Sequence, residues 1–143
     1  MPHDITEMTM ADYDDVIAFW RQQEGMGLND ADGREHIAAF LRRNPGMSVI
    51  ARDHGRIIAA VLCGHDGRRG TLNHLAVARS HRNRGLGRTI VQRCLDRLRD
   101  EGILKCGIFL FSNNKEGERF WLTTGWFERS DLKLLQQEID PRP

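Results

Sequence analysis

HRNRGLGRTIV, from His81 to Val91, decides how the rest of the chain is read. It crowds three arginines and two glycines into the stretch from Arg82 to Arg88, in a chain that carries 21 basic and 20 acidic side chains overall. A local cationic excess in an otherwise balanced chain points to an anionic partner. The apolar helical pattern that follows adds a second reason. The first N–H groups of a helix have no intrahelical acceptor and lie at the positive end of its dipole, so a phosphate can accept several of them at once. Gly85 and Gly87 let the backbone come close, Arg82, Arg84 and Arg88 bring charge, and Thr89 brings a hydroxyl. The partner this chemistry suits is a pyrophosphate.

Working outward, the stretch joins a strand, TLNHLAV, to a helix whose apolar face is Ile90, Val91, Cys94, Leu95 and Leu98 and which ends near Gly102. Upstream, SVIARD, a turn at His54-Gly55, RIIAAVLCG and a second turn, HDGRRG, read with TLNHLAV as an antiparallel meander. Asp66 in that second turn is expected to cap backbone N–H groups. Before the meander, ITEMT reads as a short strand. Tyr13, Val16, Ile17 and Trp20 then mark one helix with Thr9 or Asp12 as its cap, and Ile37, Phe40 and Leu41 mark another that Asn44-Pro45-Gly46 stops. Downstream, KCGIFLF reads as a buried strand, KEGERFWLTTG as a short helix closed by Gly125, and WFERSDLKLLQQEI as a last strand. The expected order is β-α-α-β-β-β-α-β-α-β.

Composition narrows the classes. With 143 residues, 40% hydrophobic and 29% charged residues and a formal charge of +1, the chain is expected to form one domain over residues 1–143. MPHDITEMTM lacks the features of a secretory signal, and the apolar run Ile57–Cys63 is too short to span a bilayer, so a cytoplasmic protein with no membrane partner is expected. Cys63, Cys94 and Cys106 lie apart inside apolar segments and read as buried thiols. His65, His74 and His81 show no compact ligand spacing, so no metal is expected.

Spacing discriminates among phosphate-binding loops. GxxxxGK[ST] is absent, and GxGxxG fails because Ile90 stands where its third glycine belongs. RxxGxG at Arg82, Gly85 and Gly87, after a strand ending Leu75-Ala76-Val77, resembles the acetyl-coenzyme A site of the GNAT superfamily of N-acetyltransferases. Asn114, Gly117, Phe120-Trp121 and Gly125-Trp126 match a second stretch of that family at the right distance, and HDGRRG before the LAV strand is similar to a small bacterial branch, the YpeA-like acetyltransferases.

The resemblance implies a GNAT-type mixed α/β fold (α+β), with a mostly antiparallel sheet and helices on both faces. It implies an acyltransferase that uses acetyl-CoA as co-substrate and passes the acetyl group by direct attack to a primary amine, on a small molecule or a protein. It places the pantetheine arm between TLNHLAV and KCGIFLF, with Leu75, Ala76, Val77 and Asn114 as contacts, an amide near Leu75–Ala76 polarising the thioester, and Arg82, Asn83, Arg84, Gly85, Leu86, Gly87, Arg88 and Thr89 around the phosphates. One departure stands out: Trp121 occupies the position of the tyrosine that often protonates the departing sulfur, and an indole N–H is no usable acid. Thr71, Asn73 and Phe109 stand where some relatives carry a Glu or His base. The catalytic candidates are therefore His74, by its intrinsic pKa and its place before LAV, together with Glu24 in the loop GLNDADG and its flank, and Trp121 itself. Asp30 and Asp32 share that loop, where they suit a cationic amine or cap a helix.

Two alternatives come from other classes. An acetyl-CoA sensor would bind the cofactor without turnover. A nucleic-acid-binding module would use the seven arginines from Arg79 to Arg99, which face a single acid, Asp96, and would show steep salt dependence. Against the latter stand the near-neutral total charge and the lack of any nucleic-acid-binding signature. Homodimer pairing through the last strand is a further expectation.

Overall fold

The computed structural model describes residues 4–140. The chain separates into two compact units, one running to Phe111 and one starting at Ser112.

The first unit opens with β1 (Asp4–Glu7) and a 3-10 turn, Met10–Asp12, that leads into α1 (Tyr13–Arg21). The Asp12 carboxylate accepts the Thr9 amide at 2.9 Å across that turn, and Asp12 stands at the N-cap position of α1 without a side-chain hydrogen bond to the helix. The buried residues of α1 are Tyr13, Val16, Ile17, Phe19 and Trp20, the stripe that three- and four-residue spacing requires. A loop containing the 3-10 turn Asp30–Asp32 leads to α2 (Arg34–Arg43), which carries Ile37, Phe40 and Leu41 and ends before Asn44-Pro45-Gly46 as the sequence predicts. The meander is β2 (Val49–Asp53), β3 (Arg56–His65) and β4 (Gly70–Val77), followed by α3 (Leu86–Asp100) and β5 (Cys106–Ile108).

The five strands lie in chain order, antiparallel except for the parallel pair β4–β5. Ile50, Ala60, Leu62 and Ala76 pack with the α1 stripe in one buried cluster. The opposite face carries α3, whose Leu98 lies so close over Gly70 that a Cβ there would meet it at 2.8 Å. Helices therefore cover both faces of a mixed, mostly antiparallel sheet, as expected. Cys63 and Cys94 are buried between β3 and α3, where their mutual hydrogen bond and then burial raise the Cys63 thiol well above its ordinary value. Burial, and next the charge of Cys63, push Cys106 up to about 12. The Cys63 and Cys106 thiols stay protonated near neutrality, which fits packing rather than nucleophilic work.

The second unit contains α4 (Lys115–Thr123), and here two expectations need correction. Residues 126–140 form no strand, and Leu132, Leu134, Leu135 and Ile139 are exposed. After Trp126 and Phe127 the segment holds one β-branched residue, Ile139, among Leu, Gln, Lys and Glu, so most of its length lacks the side chains that pack on a pleated surface. KCGIFLF is likewise no buried strand along its length: only Cys106–Ile108 pairs, and Phe109 is 70% exposed. A continuous apolar run is buried on both faces only where neighbouring elements cover both.

Candidate active site

β4 is irregular in a way that shapes the site. Ala76 pairs with Ala60 and Asn73 with Leu62, so His74 and Leu75 together oppose the single residue Val61. This β-bulge is made possible by His74, which sits at φ +59°, in the left-handed region. The bulge also reverses the alternation of the strand. Leu72 pairs with Cys63 on the α3 face, whereas Ala76 joins the α1 cluster on the other. On its far side β4 pairs with β5 through Gly70, Thr71 and Leu72 alone. From Asn73 to Val77 that edge has no strand partner among the described residues, so the two strands part at the bulge.

The opening continues into the cationic loop. α3 starts at Leu86 behind Gly85, an N-cap residue at φ +82° whose amides receive no side-chain cap. A Cβ on Gly85 would meet nothing within 4 Å, so the space in front of the helix start is open. Arg84 and Arg88 are exposed there, and a shallow groove of about 420 Å³ runs on past Arg88 and Thr89 to Gln92, Arg93 and Asp96. Two members of the loop are committed elsewhere. The Thr89 hydroxyl donates to the Gly85 carbonyl at 2.9 Å, and the half-buried Arg82 donates to Val77 O at 2.9 Å and to Gln23 Oε1 at 3.2 Å. Arg82 therefore ties the end of β4 to the end of α1.

The loop between α1 and α2 borders the same opening. Asp32 is 7% exposed; its Oδ1 lies 2.9 Å from His74 Nε2, its Oδ2 accepts the Asn29 amide at 3.0 Å, and its carbonyl accepts the Tyr13 hydroxyl at 2.7 Å. Trp20 sets its ring edge-on to His74 at 5.1 Å. At the other side, a Cβ on Gly27 would come within 2.6 Å of the Phe111 ring, so the loop reaches from the β4 bulge to the chain beyond β5.

The sequence-predicted residues thus divide. Leu75, Ala76 and Val77 lie on the edge of β4 that has no strand partner among the described residues, the loop Arg82–Thr89 leads from it into α3, and His74 precedes that edge with a partner, Asp32, that spacing did not reveal. Glu24 does not join that cluster; its carboxylate pairs with Arg79 at 2.7 Å, with both side chains exposed. Asn114 and Trp121 belong to the second unit. Asn114 Oδ1 caps α4 by accepting the Gly117 amide at 2.9 Å, and Trp121 is buried between Phe120 and Trp126. Asp66 caps as expected, accepting the Arg68 and Arg69 amides at 2.8 and 2.9 Å. His81 pairs with Asp53 and Ser80, which pins the β2–β3 turn to the chain after β4.

Comparison with known proteins follows this geometry. The profile of the acetyltransferase (GNAT) family matches residues 10–126. An acetyltransferase of Yersinia pestis is 28% identical over 104 residues, 72% of each chain. Among solved structures, the PaiA N-acetyltransferase of Thermoplasma acidophilum, in complex with coenzyme A, superposes with a TM-score of 0.75 at 15% identity, over 87% of this chain and 89% of that one. A predicted acetyltransferase of Clostridium acetobutylicum with acetyl-CoA gives a TM-score of 0.72 at 16% identity, over 94% and 96%. With its sheet opened at β4, its glycine-led helix start and a family match over most of its length, the chain belongs to the acetyltransferase (GNAT) family.

Proposed function

We propose that this acetyltransferase moves the acetyl group of acetyl-CoA to a primary amine, which attacks the thioester directly in a ternary complex. One observation carries the reading: the strand edge freed by the β4 bulge ends at an uncapped helix start flanked by exposed arginines. A linear cofactor with an amide-bearing arm at one end and phosphates at the other fits that sequence of features. The arm lies along the edge from Leu75 to Val77, where no strand pairs among the described residues and its amides meet the exposed backbone, short of the Val77 carbonyl that Arg82 already holds. The pyrophosphate accepts from the amides that open α3, with Arg84 and Arg88 beside it. An amide at Leu75 or Ala76 stabilises the tetrahedral oxyanion, an interaction worth about 3 kcal/mol in comparable sites. The acceptor approaches under the α1–α2 loop, where the exposed Asp30 favours a cation. With no tyrosine at position 121, coenzyme A leaves as thiolate or takes a proton from water.

Calorimetric titration with acetyl-CoA, dephospho-coenzyme A and a short DNA duplex tests the cofactor, and thiol release in the presence of spermidine or a lysine-containing peptide with a free N-terminus tests the transfer. Saturable one-site binding of acetyl-CoA with thiol release supports the reading. Binding without release across such amines favours a sensor, and binding of DNA alone, steeply weakened by salt, overturns it.

A further inference from the structure

We propose that Asp32 and His74 form the proton-accepting dyad of this enzyme, with His74 as the catalytic residue and Asp32 as the residue that positions it. The inference rests on the acetyl-transfer reading and names a group that reading leaves open. An ionised carboxylate only accepts hydrogen bonds, so the 2.9 Å contact with Asp32 Oδ1 places the hydrogen of the neutral imidazole on Nε2 and leaves the lone pair on Nδ1. Nδ1 has no hydrogen-bond partner among the described residues. The one buried side-chain polar atom without a partner among them is Trp20 Nε1, so Nδ1 keeps contact with open space, consistent with the 17% exposure of the His74 side chain.

The arrangement costs the fold something. His74 adopts a left-handed backbone, Asp32 is a buried carboxylate, and Trp20 beside them leaves its indole N–H unsatisfied. Such features persist where the surroundings hold them, and here three separate elements do. α1 contributes Tyr13, which bonds the Asp32 carbonyl, and Trp20; Asn29 bonds the carboxylate; and the bulge sets the imidazole one residue before the strand edge assigned to the thioester arm. In the reaction the amine lone pair forms the C–N bond, and the C–S bonding pair leaves with the coenzyme A sulfur. The proton of the nitrogen adduct passes to Nδ1, while Asp32 stabilises the imidazolium.

The test uses ¹⁵N-histidine-labelled protein, with His74→Asn to assign the resonance, because Asn accepts a left-handed backbone and preserves the bulge. Long-range ¹H–¹⁵N correlation is expected to show the Nε2–H tautomer of His74 in the wild type and a mixture of tautomers in Asp32→Ala. An Nδ1–H tautomer in the wild type overturns the proposal. With spermidine or the peptide as acceptor, His74→Asn is expected to lower kcat by about 10²- to 10⁴-fold, the range typical of a general base. Acetyl-CoA affinity by calorimetry is expected to change by less than about threefold. Unchanged kcat overturns the proposal, and so does a parallel loss of cofactor affinity, which would mark a structural role. Failure of the wild type to bind acetyl-CoA instead overturns the acetyl-transfer reading itself, so the two failures are distinct.

Discussion

Replacing Arg82 and Arg88 by alanine, one at a time, separates two arginines that look equivalent in RxxGxG. Arg82 directs its guanidinium inward, to the Val77 carbonyl at 2.9 Å and to Gln23 Oε1 at 3.2 Å, whereas Arg88 is exposed at the start of α3. A hydrogen bond from a charged donor is worth about 1.5–3 kcal/mol when well buried. Arg82 is half-buried, so water replaces part of both bonds, and the expected loss of stability in Arg82→Ala is about 1–2 kcal/mol. For a domain of this size that lowers the thermal midpoint by about 3–8 °C. Arg88→Ala breaks no side-chain hydrogen bond or ion pair among the described residues, and its midpoint is expected to move by less than about 1 °C. It removes one charge-assisted contact to phosphate, however, so acetyl-CoA affinity is expected to fall about 10- to 100-fold, with a weaker response to added salt. Differential scanning calorimetry and isothermal titration give both quantities on the same samples. If Arg82→Ala leaves the midpoint unchanged and weakens acetyl-CoA as Arg88→Ala does, then Arg82 is a free phosphate ligand and its role in tying β4 to α1 is wrong.

Gly85→Ala is expected to cost about 1–2 kcal/mol, because alanine must adopt φ +82° although nothing obstructs its Cβ. Gly85→Asn is expected to recover most of that loss, and equal denaturation midpoints for the two variants would refute the backbone cause. Asp66 is held below the usual carboxylate range by the backbone N–H groups of Arg69 and then Arg68. A depressed folded pKa stabilises the fold above the unfolded value of about 4 and is lost as pH falls through the folded value. The midpoint difference between wild type and Asp66→Ala is therefore expected to be full at pH 7 and to vanish toward pH 2; a pH-independent difference would contradict the cap.

How much of this was legible in the sequence depends on how local each cause is. α2 is marked by the spacing of Ile37, Phe40 and Leu41 and by the stop at Asn44-Pro45-Gly46 directly after it, and the helix ends at Arg43. The meander is set by turns at His54-Gly55 and at Asp66, each built from a few adjacent residues. The bulge is different. Leu72, His74 and Ala76 read as one face of a regular strand, and only the left-handed His74, which no nearby residue announces, sends Leu72 and Ala76 to opposite faces. The Asp32–His74 pair joins residues 42 positions apart, and no local pattern records such a partner. Arg82 was legible as a basic residue near a phosphate loop, but not as a brace, because its acceptors are a backbone carbonyl and Gln23 on another element. In residues 126–140, a composition equally tolerant of helix gave no firm signal, and the strand expected there did not form.

The bulge in β4 has a consequence for how closely architecture and chemistry are joined. Both sides of the irregularity already have their proper partners, Asn73 with Leu62 and Ala76 with Ala60, with two residues set against Val61 between them. A chain lacking His74 alone would zip into an uninterrupted ladder, Leu75 against Val61, with no core side chain changing face. That shorter chain would keep its sheet, relieve its backbone strain and lose the imidazole beside Asp32 together with the kink that parts β4 from β5. A single residue separates the parted strand from a regular ladder of the same register.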